Sequence, residues 1–152
     1  MPASAATDAG THGRRIVVGV DGSPESDLAL EAAIGEAARR GATLDIRSYW
    51  SYPHIPGVVS FTNADVTKAA EETWQQYMRR ASELDPTVPI TGEVNEGSAA
   101  SGLVQDSKGA ELLVVGSRGV GGFRGVLLGS VGQYCAQPAP CPVLVMRPVE
   151  KD

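Results

Sequence analysis

The run Ile16-Val17-Val18-Gly19-Val20 contains no polar side chain, and the residues after it, Asp21-Gly22-Ser23-Pro24-Glu25, turn directly into a helix start. A strand with one face in water alternates apolar and polar residues, so an unbroken apolar run needs cover on both faces. Such a strand belongs in a parallel sheet, where crossover helices pack on either side. Ser23 offers an N-cap oxygen, Pro24 has the φ of a first helical residue, and Glu25 puts negative charge in the first turn. Leu30, Ala33, Ile34, Ala37 and Ala38 then recur at helical spacing, and Gly41 marks the stop.

The same alternation continues along the chain. Leu44 to Trp50 is expected to form a second strand, and Tyr52 to Asn63, with two prolines and a glycine, a loop. Val66, Ala70, Trp74, Tyr77, Ala81 and Leu84 share one face of a second helix, closed by Pro86 and Pro89. Ile90 to Val94 is a short third strand, and Ser98 to Lys108 a short helix with Leu103 and Val104 inward. Leu112 to Gly116 is a fourth buried strand. A glycine-rich segment runs from Gly116 to Gly129, a last helix is expected from about Ser130 to Gln137, and Pro142 to Met146 is the fifth strand.

Strands alternating with helices predict an α/β fold: a three-layer, Rossmann-like open sheet of five parallel strands with right-handed crossovers. There is no internal repeat. A single domain is expected over residues 14–152, preceded by a tail of small and polar residues, 1–13.

Bulk properties exclude several classes of function. At 152 residues and 42% hydrophobic the chain can bury a substantial core. Its net charge of −5 argues against a broad nucleic-acid or anionic-membrane footprint. No apolar run is long enough to span a bilayer, and the N-terminus lacks the basic and apolar regions of a signal peptide, so a cytoplasmic location is expected. Cys135 and Cys141 have no His or carboxylate at metal-ligand spacing and read as buried thiols.

Ligands of open α/β sheets bind at the carboxyl ends of the strands, and two strand ends here carry unusual chemistry. One is Gly19-Val20-Asp21-Gly22-Ser23. The other is GSRGVGGFRGVLLGSV, residues 116–131, with six glycines within fourteen positions. Glycine lets backbone N–H groups approach an anion closely. The segment leads into Gly129-Ser130-Val131 at an expected helix start, where unpaired N–H groups favour negative charge. Arg118 and Arg124 add full charges suited to phosphate oxygens, and Ser130 adds a hydroxyl donor.

The pattern is not a Walker A loop, because no lysine precedes Ser130, and the first strand lacks the G-x-G-x-x-G dinucleotide fingerprint. Asp21 and Glu25 would repel a phosphate, so the triphosphate is expected at the fourth strand's loop. Asp21 is then placed to accept from a ribose or to help hold Mg²⁺, or else serves as a second cap for the first helix.

With these residues in view, the chain resembles the universal stress proteins of the ATP-binding type. Their G-x2-G-x9-G-[S/T] pattern is matched by Gly116, Gly119, Gly129 and Ser130. VVGVDGSPES resembles the family's opening segment and APCPVLVMRP its last strand, so the resemblance covers nearly all of the chain after the tail. It implies a sheet order of 3-2-1-4-5. It also implies Gly19, Val20 and Asp21 on the ribose and adenine side, Tyr49 at the adenine contact, and Val115, Gly116, Gly119, Gly129, Ser130 and Val131 at phosphate and ribose positions. Ser48 stands where the family often has histidine. The last strand is implied to be a sheet edge, and its uncharged segment Pro142 to Met146 suits pairing into a homodimer.

The function expected is a nucleotide-dependent stress-response sensor or switch that binds ATP, with or without Mg²⁺. Alternatives are a slow ATPase or self-phosphorylating protein, a cyclic AMP-binding module, and an interaction module that binds no nucleotide. No His, Glu or Lys lies in the glycine segment to activate a nucleophile, which weighs against fast phosphoryl transfer. His12 and His54 lack partners in sequence for catalysis. Trp74 and Tyr77 read as core, and Glu71, Glu72, Arg79 and Arg80 as a solvated helix face.

Overall fold

The computed structural model describes residues 14–51, 63–117 and 139–149. In chain order these form β1 (Arg15–Gly19), α1 (Pro24–Arg40), β2 (Thr43–Trp50), α2 (Asn63–Leu84), β3 (Ile90–Glu96), α3 (Ala99–Asp106), β4 (Leu112–Gly116) and β5 (Val143–Met146). The five strands make one parallel sheet in the order β3-β2-β1-β4-β5, as the resemblance implied. The helix expected near Ser130 to Gln137 and the tail lie outside the described residues.

The apolar runs at β1 and β4 have the expected cause. Ile16, Val18, Leu112 and Val114 face one side with Ala29, Leu30, Ala33 and Ile34 of α1 and Tyr77 and Ala81 of α2. Val17, Leu113 and Val115 face the other side, with Leu103 of α3. Both faces of β1 and β4 are therefore dry.

Helix α1 starts and stops where its sequence signals stand. The Ser23 side chain accepts from Ser26 N at 3.2 Å, Pro24 takes the first helical position, and Gly41 ends the helix at φ 63°. The third strand runs two residues beyond the expected Val94, because Asn95 and Glu96 stay in register with Tyr49 and Trp50 despite being polar. Tyr77 is a core residue, as expected, Trp74 packs half-buried against the core, and each satisfies its polar atom. Trp74 Nε1 donates to Ile46 O at 2.8 Å, and the Tyr77 hydroxyl donates to Asp27 Oδ1 at 2.6 Å. Burial, helped by the Asp27 carboxylate, holds the Tyr77 pKa above its ordinary value, so the hydroxyl remains a donor.

Candidate functional site

A cleft opens at the carboxyl ends of β1, β2 and β4, with α3 along one side. Gly19, Val20 and Asp21 line it from the end of β1, Val115 and Gly116 from the end of β4, Arg47 and Tyr49 from β2, and Ala99 and Leu103 from α3. The two unusual strand ends of the sequence thus meet in one place. Of the residues singled out from sequence, Gly19, Val20, Asp21, Tyr49, Val115 and Gly116 come together here. Arg118, Gly119, Gly129, Ser130 and Val131 lie outside the described residues.

The β1 rim is a built turn. Asp21 Oδ1 accepts from Ser23 N at 2.9 Å, and Gly22 supplies the left-handed conformation, φ 87°, that the turn requires. Asp21 N donates to Ser26 Oγ at 3.3 Å, and Ser26 Oγ lies 2.7 Å from the Tyr77 hydroxyl. Ser23 is the helix cap, so Asp21 organises the turn ahead of the cap. It is also the sole carboxylate among the described lining residues. Among the described residues no three His, Cys, Asp or Glu side chains gather as a metal set.

Two glycines here are explained by protein packing. A Cβ at Gly19 would come within 2.6 Å of Leu103 Cδ1, so its absence lets α3 sit close over β1. A Cβ at Gly116 would come within 2.7 Å of Glu25 Cβ and 2.8 Å of its carbonyl carbon. Gly116 therefore lets the end of β4 lie against the first turn of α1. Close approach of a phosphate is the role expected of this glycine from sequence, and this packing stands beside that expectation.

One part of the site was not anticipated. Along β2, Asp45, Arg47 and Tyr49 share the face toward α3. Asp45 is 1% exposed. It accepts from Arg47 Nε at 2.8 Å and Nη2 at 2.9 Å, and from Arg15 Nη1 at 2.9 Å. Arg47 Nη1 reaches Glu93 Oε2 at 3.0 Å and Asp106 Oδ1 at 3.4 Å. Arg15 Nη2 donates to the carbonyls of Asp106, at 2.7 Å, and Lys108, at 2.9 Å, at the end of α3. The Tyr49 hydroxyl donates to Asp106 Oδ2.

Burial opposes the Arg47 charge, but Asp45, Asp106 and Glu93 more than offset it and hold its pKa above the ordinary value. Burial, then Asp106, raises the Tyr49 pKa, so its hydroxyl also remains a donor. The signal was present in Leu44-Asp45-Ile46-Arg47, where opposite charges two apart on a strand share a face that should otherwise be apolar.

The match to known proteins is consistent with this geometry. The model of the Universal stress protein family matches residues 13–147. The chain belongs to the universal stress protein family. A universal stress protein of Mycobacterium tuberculosis is 40% identical over 132 residues, which are 87% of this chain and 44% of that protein. This universal stress chain thus spans a little under half the length of that relative. Among solved structures, UspA of Lactobacillus plantarum superposes with a TM-score of 0.73 at 23% identity, covering 88% of this chain and 97% of that one. A universal stress protein solved in complex with cAMP superposes with a TM-score of 0.65 at 28% identity, covering 88% and 95%. Among the described residues, no helix is long and apolar enough to cross a membrane.

Proposed function

We propose that this chain is a nucleotide-dependent regulatory protein that binds ATP in the cleft between β1 and β4. The observation that carries the reading is the meeting of Asp21, at the end of β1, with Gly116, the first residue of the G-x2-G-x9-G-S pattern, across one cleft. The apolar walls formed by Val20, Ala99 and Leu103, with the Tyr49 ring, suit a base. The main-chain amides from Gly116 onward, with Arg118, Gly119, Gly129, Ser130 and Val131, suit the phosphates. Gly19, Val20 and Asp21 take the ribose side. Asp21 is also the candidate carboxylate for a Mg²⁺ that would neutralise phosphate charge.

Cyclic AMP is a second reading, favoured by the related structure solved with that ligand. The two share adenine, ribose and phosphate, and competition between ATP and cyclic AMP for the purified protein ranks them.

Binding alone gives affinity but little rate, because only interactions stronger in the transition state accelerate chemistry. Among the described lining residues Asp21 is the one carboxylate, and no His or Lys stands with it to orient water. In a single-turnover assay with labelled ATP and Mg²⁺, hydrolysis is expected far below the ~10 per second of a typical enzyme. Turnover of about one per second or faster, abolished by Asp21→Ala, would establish an enzyme instead. Label transferred to the protein would indicate self-phosphorylation.

We also propose that the chain forms a homodimer through β5. Among the described residues this strand is a sheet edge, its residues Val143–Met146 are uncharged, and each is half-buried in the single chain. An apolar edge of that kind is a template for pairing with an identical strand. Light scattering at micromolar concentration is expected to give a dimer mass, and a monomer mass contradicts the proposal.

A further inference from the structure

We propose that Asp106, which does not itself line the cleft, is a positioning residue for the nucleotide site: it fixes Tyr49 and α3 as a rigid wall for the base. The inference rests on the nucleotide reading above and concerns what holds the wall in place.

Helix α3 spans only Ala99–Asp106, and of its residues only Leu103 is fully buried. So short a helix gains little stability from its own hydrogen bonds. Its position over the cleft has to come from what ties it to the sheet. The apolar tie is Leu103, seated over Gly19. The polar ties converge on Asp106. Its carboxylate accepts from the Tyr49 hydroxyl and lies 3.4 Å from Arg47 Nη1, while its carbonyl accepts from Arg15 Nη2 at 2.7 Å. Arg47 is anchored in turn by the buried Asp45.

The Tyr49 ring is confined from the helix side as well. A Cβ at Gly102 would come within 2.3 Å of its Cε1 and Cζ atoms, so the ring lies directly against the α3 backbone. Hydroxyl and ring are therefore both held by α3, and the ring is part of the cleft lining. A wall fixed before the ligand arrives spares the ordering cost of binding. Loosening it should weaken contact with the base and leave contact with the phosphates untouched.

The experiment measures ATP affinity by calorimetry and the affinity of inorganic triphosphate by competition, for wild type and five variants. Tyr49→Phe and Asp106→Ala are each expected to weaken ATP by about three- to tenfold, the range of a coupled pair. Triphosphate affinity should stay unchanged, and the double variant should be no weaker than the worse single one. Asp106→Asn, whose amide oxygen still accepts from Tyr49, should keep most of the affinity. Gly102→Ala, a favourable change for a helix as such, should displace the ring and weaken ATP with Asp106 intact.

Unchanged ATP affinity in folded Tyr49→Phe and Gly102→Ala overturns the proposal. So does an equal loss of ATP and triphosphate, which would mean a general structural role. A wild-type protein that binds neither ligand overturns the nucleotide reading itself, and this inference with it.

Discussion

Asp45→Ala is expected to destabilise the chain by about 3–5 kcal/mol, the range found when one partner is removed from a buried ion pair. The Asp45 side chain is 2% exposed, and it neutralises Arg15 and Arg47, whose side chains are 24% and 19% exposed. Without it two guanidinium groups remain beneath α3: Arg47 keeps Asp106 and the largely exposed Glu93, while Arg15 is left with the carbonyls of Asp106 and Lys108. Much of the loss is the desolvation of a charge without its partner. Replacing both ends of the bidentate pair, Asp45→Leu with Arg47→Met, is therefore expected to cost clearly less than Asp45→Ala alone. Denaturant midpoints of the two variants decide this, and a double variant no more stable than the single one contradicts the account.

How much the sequence revealed followed from burial. At β1 and β4 both faces are covered, so side-chain hydrophobicity reports the strand directly and the expected core residues are those observed. The ends of α1 were legible because Ser23, Pro24 and Gly41 act locally through their own backbone chemistry. The end of β3 was not, because Asn95 and Glu96 are held by pairing with β2 rather than by any preference of their own. The ion cluster of Asp45, Arg47 and Asp106 was missed for a related reason. Charges on a strand suggest solvent until the residues across from them are known, and Asp106 meets Arg47 only through the fold. The cleft's two rims were legible because each is a short segment at a strand end, one marked by Gly19, Asp21 and Gly22 and the other by its run of glycines. The packing role of Gly116 was not, since Glu25 lies far away in sequence.

That packing role selects the probe for the phosphate side. Any side chain at Gly116 meets the backbone of Glu25, so substitution there disturbs the start of α1 as well as the cleft and confounds stability with binding. Gly119, the second glycine of the pattern, is the cleaner probe on the proposed reading. Gly119→Val is expected to lower ATP affinity at least about tenfold, or about 1.4 kcal/mol, by keeping the main-chain amides from the phosphates. Thermal unfolding without ligand should stay near wild type. Equal ATP affinity in a folded Gly119→Val protein removes the phosphate assignment from this segment.

The central claim, that the cleft between Asp21 and Gly116 is an adenine-nucleotide site, is tested most directly by calorimetric titration of nucleotide-stripped protein with ATP and, in parallel, with inorganic triphosphate. The account predicts saturable binding of one ATP per chain, with triphosphate bound more weakly because it makes no contact with the wall of Tyr49, Ala99 and Leu103. Absence of saturable ATP binding by the folded protein, or equal affinity for both ligands, would contradict it.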